Sequence, residues 1–228
     1  MIGRGHGSLV ITLASVGTPV HELGHAFCVL AFRHKLLKVE LFNPKPNGQL
    51  GLVEHSYKVG SFYQTMGCFF IGVAPIFSGL IACWVITMVL IPEFDINGLI
   101  GSVSYIIERH GLFSAVDWFY RNTYASHLKL FELDWQRYLL WAFLLTSIVK
   151  HMLPSVPDMQ GVKRGLLQSI VLFICLFLLF TEQVIEFIDS SLLFLLSLLV
   201  VFVAYVLVCQ LAILLISSLI IKWKTRNV

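Results

Sequence analysis

Val20-His21-Glu22-Leu23-Gly24-His25-Ala26 is the stretch that decides how this chain is interpreted, because it places three polar side chains inside an otherwise apolar run. On a helix, His21 and His25 lie one turn apart on the same face. Two imidazoles in that arrangement can bind one zinc ion while Glu22 handles a water molecule bound to it. An ionisable residue in the middle of a lipid-embedded helix costs at least ~2.5 kcal/mol on insertion scales. Three such polar groups on adjacent turns therefore indicate a functional role.

The composition is typical of a polytopic membrane protein and not of a soluble globule. Of 228 residues, 57% are hydrophobic and only 13% are charged. The net charge of +3 does not indicate nucleic acid, because the basic residues lie beside apolar segments, where they orient the chain. We expect one integral membrane domain over residues 1–228, with a core over about 8–165 and a C-terminal helical pair over about 166–221.

The apolar runs predict an all-α polytopic membrane protein with about five transmembrane helices. These spans are expected over residues 8–32, 62–91, 136–153, 166–180 and 192–221. Residues 92–134 carry charges and aromatic side chains without a long apolar run, so they predict one or two interfacial helices outside the membrane. Residues 182–189 predict a short acidic turn between the last two spans.

A short membrane-associated β-hairpin is expected after the first helix, over residues 36–58. Asn47-Gly48 lies between short, partly alternating apolar runs, and Pro44 and Pro46 exclude a helix. The hairpin is either a plain connection or an exposed edge that captures an extended peptide by strand addition. In the second case Leu50, Leu52 and Glu54 are candidate substrate-binding residues.

The distribution of lysine and arginine predicts the orientation in a cell membrane. The loops at 33–58 and 150–164 and the C-terminal tail are basic, whereas the other loops are rich in acids. Positive loops face the cytoplasm, so we expect a multi-pass protein with its N-terminus outside and its C-terminus cytoplasmic. The first and third spans then run in the same direction, which brings Asp158 to the depth of His21 and His25.

A catalytic zinc ion takes three protein ligands and keeps one position for water. We therefore expect one Zn²⁺ ion bound by His21, His25 and Asp158. The alternatives for the third ligand are one neighbour on the first helix and three polar residues near the same membrane face: Cys28, Glu54, His55 and His151. With the pKa of the bound water lowered toward ~7, Glu22 as general base would give peptide hydrolysis.

These residues resemble the site-2 protease class of intramembrane zinc metalloproteases, from His21 to about Gly161. In that class the first core helix carries H-E-x-x-H, a membrane-associated hairpin follows, and the second helix carries a Gly/Ala-Pro-x-x-Asn element. A Pro-rich motif ending in Asp-Gly comes next. Here Ala74-Pro75-Ile76-Phe77-Ser78 has Ser78 in place of the asparagine, and Met159 follows Asp158 where glycine is typical.

The resemblance implies an enzyme that cleaves single-span membrane proteins or signal-peptide-like remnants within the bilayer. It adds Ser78 and His151 to the candidate substrate-binding residues. Two other functional interpretations of the sequence stay open. One is a membrane metalloprotease acting on lipidated or cytosol-facing peptides, which would be favoured if Glu54 held the metal. The other is a non-catalytic metal-binding membrane scaffold, which would function equally well with Glu22→Gln.

Overall fold

A computed structural model describes residues 8–226, and the surroundings of side chains from residue 11 to residue 207 except 205. Within these residues the chain forms one hairpin and seven helices, in agreement with the helical architecture expected from the sequence. Helix α1 is Ser8–Ala31, strands β1 and β2 are Lys35–Glu40 and Leu52–Ser56, and six helices follow. These are α2 Phe62–Leu90, α3 Ile96–His110, α4 Leu112–Leu133, α5 Trp135–His151, α6 Val156–Leu179 and α7 Thr181–Arg226.

Three helices in the described part of the chain are long and apolar enough to cross a membrane: α2, α6 and the segment Thr181–Ala204 of α7. The expectation of about five spans is therefore too high by this measure. Helix α5 has only 17 residues, and ~20 are needed to cross the hydrocarbon core. Helix α1 is long enough, but His21, Glu22 and His25 make it more polar than a plain span.

Two expected boundaries are wrong, and each error has a local cause. Helix α6 begins at Val156 instead of about residue 166, because Ser155 caps it there, and it carries Asp158 in its first turn. The expected acidic turn at 182–189 is helical and belongs to α7. Glu182 and Glu186 are both exposed, so the helix continues through them while their carboxylates stay accessible.

The hairpin expected after α1 is confirmed. Strands β1 and β2 pair antiparallel, with Val39 opposite Val53 and a bulge between Leu36 and Lys38. The loop between them closes through a tight turn in which the Gly48 N–H donates to the Lys45 carbonyl at 3.0 Å. Gly48 has φ +89°, a conformation that favours glycine, so the Asn-Gly signal identified the turn correctly.

Helices α2 and α6 approach each other closely through glycine. A Cβ atom on Gly72 would lie 2.6 Å from the carbonyl oxygen of Asp158, and one on Gly165 would lie 2.7 Å from the carbonyl oxygen of Thr65. Both distances are too short for a side chain, so the two backbones are nearly in contact. This packing brings the first turn of α6 against the middle of α2.

Residues 92–134 form two helices, α3 and α4, as the sequence allowed. Both are amphipathic, and they bury Ile100, Val103 and Phe119 against the rest of the protein. At this end of the molecule, the Trp141 indole N–H donates to the Thr87 hydroxyl at 3.0 Å. Large aromatic side chains therefore fill the end of the bundle that lies away from the hairpin.

Candidate metal centre

Three potential ligands converge from α1 and α6. The Nε2 atoms of His21 and His25 lie 3.0 Å apart. The Asp158 carboxylate faces both, with Oδ1 3.2 Å from His25 Nε2 and Oδ2 3.5 Å from His21 Nε2. A tetrahedral zinc ion with bonds of ~2.0–2.2 Å holds its ligand atoms ~3.3–3.5 Å apart. The three side chains therefore lie close enough together to hold one ion, at separations near those that zinc imposes on its ligands.

The hydrogen bonds of both histidines fix which ring nitrogen is available. His21 Nδ1 lies 2.7 Å from the His151 carbonyl oxygen, and His25 Nδ1 lies 2.8 Å from the Ile71 carbonyl oxygen. A carbonyl oxygen can only accept, so each Nδ1 carries the hydrogen and each neutral ring presents a lone pair at Nε2. Two lone pairs 3.0 Å apart repel each other unless a cation lies between them and the carboxylate.

Both accepting carbonyls lack the usual helical partner. Pro75 has no N–H, so the Ile71 carbonyl one turn earlier in α2 has no N–H to accept from within the helix and is available to His25. His151 is the last residue of α5, where carbonyls are not bonded within the helix. A proline inside one helix and the end of another thus orient the two imidazoles, as ligand-supporting hydrogen bonds do in known metal sites.

Asp158 is held in place by the start of its own helix. Ser155 is the N-cap of α6, and its N–H and its hydroxyl both donate to Asp158 Oδ2 at 2.6 Å. The Asp158 N–H lies 3.5 Å from the Ser155 Oγ in return, which completes a capping box. Oδ1 remains directed at His25. Ser155 was not among the residues expected from the sequence, although the S-x-x-D pattern ahead of an apolar run is a detectable signal.

Glu22 is 8% exposed and lies under the hairpin. A Cβ atom on Gly51 would lie 2.6 Å from Glu22 Oε1, so the backbone of residue 51 lies directly against this carboxylate. Glu22 also interacts electrostatically with His21, His25 and Asp158. The general base expected from the sequence is therefore beside the three ligands and enclosed by the chain that leads into β2.

A cavity of about 900 Å³ opens onto this centre, bounded by α1, α2, α6, the end of α5 and the hairpin. Of the candidate substrate-binding residues, Leu50, Leu52 and His151 line it, whereas Ser78 and Glu54 do not. The Ser78 hydroxyl donates to the Val20 carbonyl at 3.1 Å and packs α1 against α2. Glu54 is exposed on β2. The structure thus separates these two residues from the centre.

The other candidates for the third ligand lie outside the ligand group. In the described part of the chain, the residues close enough to hold one ion together are His21, His25 and Asp158. That group does not include Cys28, Glu54, His55 or His151. His151 contributes its carbonyl oxygen to His21, and its own Nδ1 donates to the Ser147 carbonyl at 2.7 Å.

His55 lines the cavity as a neutral side chain. His34 Nε2 donates to the Gln64 carbonyl at 2.7 Å, so His34 Nδ1 accepts from His55 Nδ1 at 2.9 Å. Burial lowers the pKa of His55 to about 4, and the positive charge of Arg164 acts in the same direction. His55 is therefore uncharged near pH 7.

No protein-family model, no curated protein and no solved structure matches this chain. Its function is therefore to be inferred from the chemistry of the centre and of the cavity around it.

Proposed function

We propose that this protein is an intramembrane zinc metalloendopeptidase, of the kind represented by the site-2 proteases, that hydrolyses peptide bonds of membrane-embedded substrates. The observation that carries the proposal is the convergence of two Nε2 lone pairs and one carboxylate at 3.0–3.5 Å. Two imidazoles and a carboxylate with an open position suit catalytic zinc, whereas Mg²⁺ and Ca²⁺ prefer oxygen ligands alone.

In this proposal Glu22 is the proton-transfer residue. Zinc held by His21, His25 and Asp158 would supply a Lewis acid and lower the pKa of a water molecule. Glu22 takes the proton from the attacking water and passes it to the leaving amine. Its burial under Gly51 keeps the carboxylate close to the reacting atoms. Hydrogen bonds orient the three ligands. Ser155 donates to Asp158, while His25 and His21 donate to the Ile71 and His151 carbonyls.

The substrate is proposed to be a single-span membrane protein or a signal-peptide-like segment in the lipid bilayer. Three apolar helices support a location in a membrane. The basic loops favour an N-terminus outside and a cytoplasmic C-terminus in a multi-pass cell-membrane protein. Within the described residues β2 pairs only with β1, and Leu52 and Val53 line the cavity. An extended peptide can add to the other edge of β2 as a third strand.

Glu22→Gln tests the proposal directly. The amide keeps the shape of the side chain but cannot accept the proton, so zinc content should stay at about one ion per chain while cleavage falls by ~10²–10⁴-fold. Zinc is measured by elemental analysis of the protein purified in detergent, and cleavage with a single-span protein reconstituted in liposomes.

Glu54→Gln is the matched control, because Glu54 is an exposed acid on β2 that does not line the cavity. It should keep both zinc and activity. Loss of zinc in Glu54→Gln would instead favour the protease class in which that glutamate is a ligand. Cleavage that survives Glu22→Gln would refute the proposed mechanism.

A further inference from the structure

The cavity contains two cations that the proposed chemistry leaves unused, Lys150 and Arg164. Its two carboxylates, Glu22 and Asp158, already belong to the candidate metal centre. Among the ion pairs found within the described residues, none includes Lys150 or Arg164. Of the described residues that line the cavity, these two cations therefore have no carboxylate beyond the centre to balance them.

Arg164 is directed into the cavity by its position on α6. It lies one turn after Gly161, which lines the same cavity, and it interacts electrostatically with Tyr57 and Cys68 on the cavity wall. Its neighbour Lys163 is also exposed but does not line the cavity. The two adjacent cations therefore face different surroundings, and of the two only Arg164 lines the cavity.

We propose that Arg164, with Lys150 as a second cation in the cavity, binds a carboxylate side chain of the substrate near the scissile bond. This inference rests on the proposed peptidase function and adds a specificity for Asp or Glu. The planar guanidinium matches a carboxylate through two parallel hydrogen bonds. Arg164 follows Asp158 by six residues, or ~9 Å of helix rise. An extended peptide covers that distance in about three residues, so the acid is expected two or three residues from the cut.

An anionic lipid headgroup is the other occupant that such cations could attract. Lipid phosphate would be drawn to any exposed cation at this end of α6, and Lys163 would serve as well as Arg164. A peptide lying in the cavity would instead contact Arg164 and not Lys163. Lys163 is therefore the control that separates the two occupants.

The test uses the zinc-loaded protein in detergent and a synthetic library of apolar peptides. In each peptide, Asp, Asn or Lys replaces one residue, and the cuts are located by mass spectrometry. We expect the wild type to cleave peptides with Asp at the favoured position about fivefold faster than their Asn twins, the size typical of an exposed ion pair. The preference should fall at ~1 M salt, where charges are screened within ~3 Å.

Arg164→Gln should remove the preference for Asp, and Arg164→Glu should reverse it in favour of Lys. Lys163→Glu should leave it unchanged. In the inactive Glu22→Gln protein, the Asp peptide should bind about fivefold more tightly than the Asn peptide, and Arg164→Gln should abolish that difference. This binding measurement does not depend on turnover.

The outcomes separate the two levels of the proposal. Glu22-dependent cleavage without a preference for acids, or a preference lost equally in Lys163→Glu, overturns the carboxylate subsite and leaves the peptidase intact. A wild type with no Glu22-dependent cleavage of any peptide overturns the proposed function, and the subsite with it.

Discussion

His25 and His127 are two enclosed histidines at opposite ends of the bundle, and the groups that surround their rings differ. His25 bonds the Ile71 carbonyl on α2. His127 packs against Trp141, which bonds Thr87 on the same helix. Thr87 follows Ile71 by 16 residues, or ~24 Å of helix. The two histidines therefore allow the ends of one bundle to be compared.

The difference lies in what surrounds the second ring nitrogen. His25 Nε2 faces a carboxylate and another Nε2 at the edge of a cavity. The ring of His127 lies among Phe94, Tyr138 and Trp141, with centroids 5.5–6.1 Å away. Burial lowers the pKa of His127 to about 4, so it stays neutral as part of an aromatic cluster. Enclosure alone does not indicate a metal ligand, whereas convergence of a lone pair with a carboxylate supports the proposal of one.

The largest effect expected from this comparison comes from removing each histidine. His25→Ala should abolish cleavage and reduce zinc content to near zero, because one of three ligands is lost. His127→Ala should retain about one zinc ion per chain and lower the free energy of unfolding by about 2 kcal/mol through lost packing. Elemental analysis and thermal unfolding in detergent measure the two quantities. Equal loss of zinc in both variants would contradict the comparison.

A smaller effect is expected from the serine that orients Asp158. Ser155→Ala should weaken zinc binding by ~10–100-fold, as the loss of ligand-supporting hydrogen bonds does elsewhere. Ser155→Thr should restore most of it. Ser61 caps α2 by accepting from the Gln64 N–H, away from the candidate ligands. Ser61→Ala should therefore lower the free energy of unfolding by ~1 kcal/mol, as the loss of a serine N-cap does, without changing zinc affinity. Titration against a chelator measures the affinity, and equal affinities in both alanine variants would rule out the orienting role.

A more modest effect is expected from the proline that frees the Ile71 carbonyl. Pro75→Ala gives residue 75 an N–H that competes with His25 for this oxygen, so zinc affinity should fall by up to about tenfold. Pro19 is the proline inside α1 and frees a carbonyl that neither histidine uses. Pro19→Ala should therefore bind zinc like the wild type. The same chelator titration measures the affinity. An unchanged zinc affinity in Pro75→Ala would show that the restored helical hydrogen bond does not compete with His25 for the Ile71 carbonyl.

The smallest effect expected is a pH dependence at the aromatic end. Because the pKa of His127 is lowered from 6.5 to about 4 in the folded protein, the neutral ring stabilises the fold above pH 6.5. That stability is lost progressively as the pH falls from 6.5 to about 4. Thermal unfolding in the His25→Ala background, where metal release does not contribute, should show this decline. Adding His127→Ala should make the melting temperature depend less on pH. An unchanged dependence would exclude His127 as its source.

Local sequence signals predicted the elements that carry the centre. The four-residue spacing of His21 and His25 depends only on helix geometry, and the turn at Asn47-Gly48 depends on backbone conformations that glycine favours. The start of α6 is also encoded locally, in the Ser155 to Asp158 capping box and in the proline of its first turn. The number of spans was overestimated because apolar runs alone do not give helix length or position.

The sequence by itself determined that the chain is helical and apolar, that two histidines share a helix face, and that a hairpin follows them. Helical periodicity, turn conformation and side-chain polarity act over a few residues, which is why these features can be derived without coordinates. Only the tertiary structure decided which carbonyls orient the imidazoles, that the backbone at Gly51 covers Glu22, and that Arg164 but not Lys163 faces the cavity. Each of these depends on how α1, α2, α5, α6 and the hairpin approach one another, and such contacts between distant segments arise only from packing.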